Sequence, residues 1–355
     1  MYLNVVPSSD CSMHQIRVPD TLRKSFKLDY GDWLIFDTDE GNYSVQVSKA
    51  TIEDMIEYGD RHAFVSEHSP VLTSKSSEVF IQPHELTVGC DPELFFINKK
   101  TEKVLPAYHI LPKNSQLGSD GDLAELRPDY ALSPEQLMLN IRKLIFDIPF
   151  RVPLSIYPYS SSWHAFRCCG FHVHLGLPIE LLSFAVDKTD AFLKNIVSAL
   201  DYFVGIPAAS LDPDNKRRFN NEYGKPGDYR LSMRTLEYRT PGGFHLRSPA
   251  YTRSLLTSAF RVTEEIIKDS EEASGGWTDA SKIVDFSYFM ERYNIPPKNY
   301  IRSMYLTKDR NELKNESFKI HSKLQGLIGE DSKFVLRERH HNEQSLFCEW
   351  LKDAT

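Results

Sequence analysis

The chain has 355 residues, a length for one large domain or two ordinary ones. It carries 42 Lys and Arg against 49 Asp and Glu, and the resulting net charge of -7 gives no broad attraction for nucleic acid. Hydrophobic residues at 41% and charged residues at 26% exclude a disordered, collagen-like or coiled-coil chain, and no apolar run reaches the roughly 18 residues of a membrane span.

The N-terminal stretch lacks a basic segment followed by an apolar one, so it does not read as a signal peptide. Five cysteines with no CxxC spacing suit a reducing cytoplasm. Residues 1 to 84 read as a small β-rich module. Ile16-Arg17-Val18 is a short alternating run, and Trp33-Leu34-Ile35-Phe36 is an apolar strand between turn clusters. Tyr43 to Val47 alternates with period two, which predicts a hairpin with the preceding strand. Val79-Phe80-Ile81 is a further strand candidate, and the Ser-rich stretch from Ser66 to Ser77 is a loop. The module either recruits a protein, a nucleic acid or a second subunit, or serves as a structural cap.

Residues 85 to 355 mix strands and helices. Leu86 to Ile97 is an extended apolar segment. Ser133-Pro134-Glu135-Gln136 is a helix start with Ser as N-cap and Gln at the capping-box position, followed by Leu137, Ile141, Leu144, Ile145 and Ile148 at helical spacing. Phe171 to Leu177 is a strand. Thr189 to Val204 is an amphipathic helix with Phe192, Ile196, Leu200 and Phe203 on one face. Leu236 to Arg239 is another strand, ended by Pro241-Gly242-Gly243. Ser248-Pro249 begins a long helix to about Asp269, Glu271 to Trp277 is a loop, and the remainder is helical and charged. Strands and helices alternate without strict βαβ units. The fold class is therefore α+β, an antiparallel curved sheet flanked by helices, with the small N-terminal β-rich module beside it.

Four motifs place ionisable side chains on strands. Asp91 and Glu93 are two residues apart and share a strand face. Paired buried carboxylates repel unless a cation neutralises them, and an oxygen-only pair suits Mg²⁺ or Mn²⁺; a turn capped by Asp91 is the other reading. Glu125 and Arg127 follow the polar turn Gly118-Ser119-Asp120-Gly121 and again share a face. They suit either a metal beside an anionic substrate or a plain ion pair. His172 and His174 lie on one face of the Phe171 to Leu177 strand, where they can chelate a metal or flank a phosphate. The fourth motif gathers Arg217, Arg218, Arg230, Arg234, Glu237 and Arg239 around a Gly-containing loop. Guanidinium groups grip phosphate oxygens bidentately, so this density suits a polyphosphate, with a basic surface loop as the alternative. Taken together the motifs call for divalent cations and a nucleoside triphosphate.

The order Asp-Pro-Glu, Gly-Ser-Asp-Gly…Glu-Leu-Arg-Pro, Gly-Phe-His-Val-His, Leu-Glu-Tyr-Arg resembles carboxylate–amine ligases of the glutamine synthetase fold. The phage-type amidoligase branch, COOH–NH2 ligase type 2, is the nearest resemblance, with glutamate–cysteine ligase more distant. The likeness covers about residues 86 to 330. It implies ATP-dependent amide formation through an acyl phosphate, with Mg²⁺ or Mn²⁺, a carboxylate substrate and an amine substrate, either of which is small or carried on a macromolecule. It implies Asp91, Glu93, Glu125, His172 and Glu237 as metal ligands, His174 as a metal- or nucleotide-site residue, and Arg230 and Arg239 as phosphate contacts. Arg127 then receives the substrate carboxylate, and Arg234 is a further nucleotide contact. Asp91 stands where many relatives carry Glu, which shortens its reach. The location implied is cytoplasmic, in the host cytoplasm if the chain is phage-encoded. Two other readings are a zinc-type metallohydrolase built on His172-Val173-His174 and a binding protein on an inactive ligase fold.

Overall fold

The structure is a computed structural model that describes residues 5–9, 11–12, 14–26, 30–31, 33–38, 41–51, 62–73, 80–82, 86–178, 189–214, 216–219, 223–232, 235–274, 287–329 and 346–352. Two compact units separate, Met1–Glu85 with Pro178–Glu180, and Leu86–Leu177 with Leu181–Thr355.

The first unit holds β1 (Val5–Ser8), β2 (Gln15–Val18), α1 (Asp20–Phe26), β3 (Trp33–Thr38), β4 (Gly41–Lys49), β5 (Ala63–Ser66) and β6 (Phe80–Gln82). They form one mixed sheet in the order β1-β5-β2-β4-β3-β6. The expected hairpin is β3 and β4, paired antiparallel from Trp33↔Gln46 to Thr38↔Gly41. The period-two alternation has its physical counterpart in the core, where Ile16, Val18, Leu34, Phe36, Val45, Val47, Ala63 and Val65 are buried together. Two details depart from the sequence reading. Helix α1 is additional, and Pro70–Thr73 forms a short 3-10 helix inside the stretch read as loop. Val79 lies outside the described residues.

The second unit is built on a long central strand, β7 (Thr87–Asn98). Around it lie β8 (Val104–Leu105), β9 (Leu117–Asp120), β10 (Leu123–Leu126), β11 (Ile156–Tyr159), β14 (Phe171–Gly176), β15 (Tyr229–Ser232) and β16 (Thr235–Tyr238). The path is β15-β16-β14-β7-β10-β9, with β8 and β11 also on β7, and every pairing is antiparallel. A separate hairpin joins β12 (Trp163–His164) to β13 (Arg167–Cys168).

Helices α2 (Pro134–Arg151), α3 (Thr189–Leu200), α4 (Ile206–Leu211), α5 (Pro249–Ser274), α6 (Lys298–Tyr305), α7 (Arg310–Ile328) and α8 (Leu346–Lys352) belong to this unit, as do the short helices Lys216–Phe219 and Ser287–Arg292. Alternate residues of the sheet strands point into a common core with them: Val88, Cys90, Leu94 and Phe96 of β7, Phe171, Val173 and Leu175 of β14, and Leu236 and Tyr238 of β16. Leu137, Ile141, Leu144, Ile145 and Ile148 of α2 are the helical half of that core. The architecture is thus α+β, an antiparallel sheet flanked by helices. Among the described residues no helix is long and apolar enough to cross a membrane.

Local chemistry explains the helix ends. Ser133 caps α2 through its hydroxyl, which accepts from Gln136 N at 3.2 Å. The reciprocal half of the capping box does not close, because the Gln136 side chain donates to Asn140 Oδ1 instead. The helix read as Thr189 to Val204 changes pitch at Asp201–Gly205, a π-helical turn. The loop expected at Glu271 to Trp277 is corrected for its first part. Helix α5 continues through Ser274, since Glu271, Glu272 and Ala273 are strong helix formers, and residues 275–277 lie outside the described residues.

Candidate active site

Strand register alone assembles the site. Residues 91 and 93 of β7 project away from the helix-packed face, as do 172 and 174 of β14 and 237 of β16. In register His172 stands opposite Asp91, His174 opposite Glu237, Glu125 opposite Glu93, and Arg230 opposite Glu237. Four motifs far apart in sequence thereby become cross-strand neighbours on one patch. Glu93, Glu125, His172 and Glu237 are each no more than 5% exposed, whereas Asp91 and His174 are half-buried at its open side.

Both imidazoles converge on one oxygen. His172 Nδ1 is 3.0 Å and His174 Nε2 is 3.2 Å from Asp91 Oδ1. His172 Nδ1 is also 3.6 Å from Glu237 Oε1. Arginines surround Glu237: Arg230 reaches its Oε2 through Nε and Nη2, each at 2.6 Å, and Arg239 Nε is 3.2 Å from Oε1. Glu93 Oε2 accepts from Gly170 N at 2.5 Å, and its Oε1 accepts from Tyr223 Oη at 3.5 Å.

Burial of so many acids perturbs them. Desolvation opposes ionisation of Asp91, but contacts with His172 and His174 outweigh it and hold the carboxyl well below the usual carboxylate range. Burial pushes Glu125 up to about 8, reinforced by the charge of Asp91 and only partly offset by Arg127. Burial likewise raises Glu93, against the pull of His172 and the Gly170 N–H. His174 is raised because its Asp91 contact overcomes desolvation.

This donor set fits divalent cations. Asp91 Oδ1, Glu125 Oε2 and His174 Nε2 are buried atoms without an aligned hydrogen bond, and a buried polar atom left so is one a cation can satisfy. Asp91, His174 and Glu237 bring ligand atoms within 4.8 Å of one another, as do Glu93, Asp120 and Glu125. The second group includes Asp120, which sequence reasoning quoted within its Gly-rich turn without giving it a role.

Arg127, the residue expected to receive a substrate carboxylate, pairs with Glu125, and its donors reach the carbonyls of Lys113 at 2.9 Å, Ser115 at 3.1 Å and Ser119 at 3.4 Å. Its guanidinium thus also ties down the loop before β9. Arg234 lies outside the described residues. Sequence reasoning also passed over Tyr223, whose hydroxyl contacts His172 Nε2. Its only signal was its place beside Gly224 in the arginine-rich loop.

Residues 88–274 match the family described as phage phiEco32-like COOH.NH2 ligase-type 2, and the chain belongs to that family. The match contains all of the clustered side chains and stops short of residue 330, the end of the span expected from the motifs. No curated protein matches the chain. Among solved structures, a bifunctional glutathione synthetase from Pasteurella multocida aligns over 69% of this chain at 11% identity, with a TM-score of 0.36. The alignment covers 53% of that protein, so the chain spans about half its length.

Proposed function

We propose that this chain is an ATP-dependent carboxylate–amine ligase that joins an acid to an amine through an acyl phosphate. The observation that carries the reading is the patch itself: Asp91, Glu93, Glu125, His172 and Glu237 clustered beside Arg230 and Arg239, within the stretch that matches the ligase family. Asp91, Glu93, Glu125, His172 and Glu237 would hold Mg²⁺ or Mn²⁺, with Asp120 added to the Glu93–Glu125 side. His174, Arg230 and Arg239, with Arg234, would face the nucleotide. A divalent cation held by these residues would supply positive charge that offsets the charge developing on phosphoryl transfer.

The chain's own residues then divide the work. Glu237 keeps Arg230 and Arg239 oriented at the open side, where guanidinium donors suit phosphate oxygens. Gly170 N–H fixes the Glu93 carboxylate. Arg127 holds Glu125 and the loop before β9 in place. We further liken the sheet and its acid-lined face to the glutamine synthetase type of ligase, with residues 1–84 as an accessory module and 85–355 as the catalytic part.

The test is ADP release by the full chain with Mg²⁺, screened against panels of acids and amines, with mass spectrometry of the product. Release that requires both an acid and an amine supports the reading. Glu93→Gln and Glu237→Gln are each expected to lower it by about 100-fold or more. Turnover insensitive to both substitutions overturns it. The two imidazoles that share Asp91 favour a metallohydrolase as the second reading. Tightly held zinc with hydrolysis and no ADP would decide for that reading.

A further inference from the structure

His172 offers two ring nitrogens, and the structure separates them. Nδ1 faces the carboxylates, 3.0 Å from Asp91 Oδ1 and 3.6 Å from Glu237 Oε1. Nε2 faces the other way, in contact with Tyr223 Oη. A neutral imidazole presents a lone pair at one nitrogen only when the other carries the proton. Tyr223 Oη also lies 3.5 Å from Glu93 Oε1 and donates to it. One phenol thus links a β14 imidazole to a β7 carboxylate.

Space has been cleared for this link. A Cβ at Gly170 would stand 2.5 Å from His172 Nε2 and 3.2 Å from Tyr223 Oη. The Tyr223 ring is held as well. The Arg217 and Arg239 guanidinium carbons stand over it at 5.1 and 4.7 Å from its centroid, and its plane meets the His172 ring edge-on with centroids 5.5 Å apart. Arg217 is itself fixed, 2% exposed, with Nη1 donating to Thr240 O at 2.5 Å and Nη2 to Arg239 O at 2.9 Å.

We infer that Tyr223 is a positioning residue that, with a cation bound, holds the His172 proton on Nε2 so that Nδ1, which otherwise faces Asp91, is turned to the cation, and that it aims the Glu93 carboxylate. The inference rests on the divalent-cation site proposed above. Tyr223 Oη accepts a hydrogen bond from His172 Nε2–H and donates its own O–H to Glu93 Oε1, and so acts on the site through two ligands without touching a cation.

The experiment compares the full chain with Tyr223→Phe, which keeps the ring beneath both guanidiniums and removes only the hydroxyl. Mn²⁺ is titrated and followed by electron paramagnetic resonance, with melting temperature recorded on the same samples and the ¹⁵N tautomer signature of His172 recorded on parallel samples loaded with diamagnetic Mg²⁺. The expected result is Mn²⁺ affinity about tenfold weaker or more, a changed His172 tautomer population and an unchanged melting temperature. Equal affinity and tautomer in the two proteins overturns the inference and leaves the ligase reading standing. Wild-type protein that binds no Mn²⁺ overturns the metal site and the inference together.

Discussion

Arg230 and Arg239 flank the same carboxylate and differ in exposure. The Arg230 side chain is 61% exposed and Arg239 is 24% exposed, while Glu237 between them is at 3%. A buried carboxylate needs its cations, and an exposed guanidinium is available to a ligand. Arg230→Ala is therefore expected to raise the KM for ATP by about tenfold or more, with a smaller effect on folding, because the guanidinium is 61% exposed and Arg239 still pairs with Glu237. Steady-state kinetics with varied ATP, alongside a melting curve, checks it. An unchanged KM would remove Arg230 from the nucleotide side of the site. The basic loop that carries Arg230 was legible in the sequence; that this arginine pairs with Glu237 was not, because the two meet across β15 and β16.

At the scale of elements, glycines set how closely the loops approach the sheet. Gly224 has φ of +72, and a Cβ there would stand 2.1 Å from Arg217 Nη1 and 2.3 Å from its Cζ. Gly224→Ala combines left-handed backbone strain with displacement of a buried guanidinium. It is expected to cost about 2 kcal/mol or more, a fall of several degrees in melting temperature for a unit of this size, read by calorimetry. Gly227→Ala, at φ of +81 with nothing within 4 Å, carries the strain without the collision and is expected to cost less. The patterns that defined β3, β4, α2 and β14 were visible as apolar residues at strand or helix spacing, and β7 as a continuous apolar run, because each packs apolar side chains into a core. The π-turn at Asp201–Gly205 was not, because no local pattern marks it; its first residue meets distant partners, with Asp201 Oδ1 accepting from Tyr238 Oη at 2.9 Å and Thr240 Oγ1 at 3.0 Å.

That same buried acid governs behaviour at the scale of the whole molecule. Desolvation raises Asp201 from 3.8 to about 7, against the pull of Tyr238 and Thr240. Its folded form binds a proton more tightly than the unfolded chain does. The stability it contributes is complete below about pH 4 and is lost as pH rises towards 7. His245 acts in the opposite sense: burial lowers it from 6.5 to about 4, so stability is lost as pH falls through that window. Asp201→Asn keeps the acceptor and removes the titration. Relative to wild type, the variant is expected to gain stability steadily between pH 4 and 7, by a few kcal/mol at the upper end. Urea midpoints across that range measure it, and parallel curves for the two proteins would contradict the assignment.

The sequence by itself determined the parts that follow from local pattern. The two-residue spacing put Asp91 with Glu93 and His172 with His174 on shared strand faces, and the motif order pointed to the family that residues 88–274 match. Tertiary structure decided which of those residues meet. Register brought Glu125 against Glu93 and His172 against Asp91, turned Arg127 onto backbone carbonyls, and set Tyr223 between His172 and Glu93. The reason is physical: side-chain direction along a strand is fixed by the backbone repeat within a few residues, whereas cross-strand partners and loop approach depend on contacts between segments tens of residues apart.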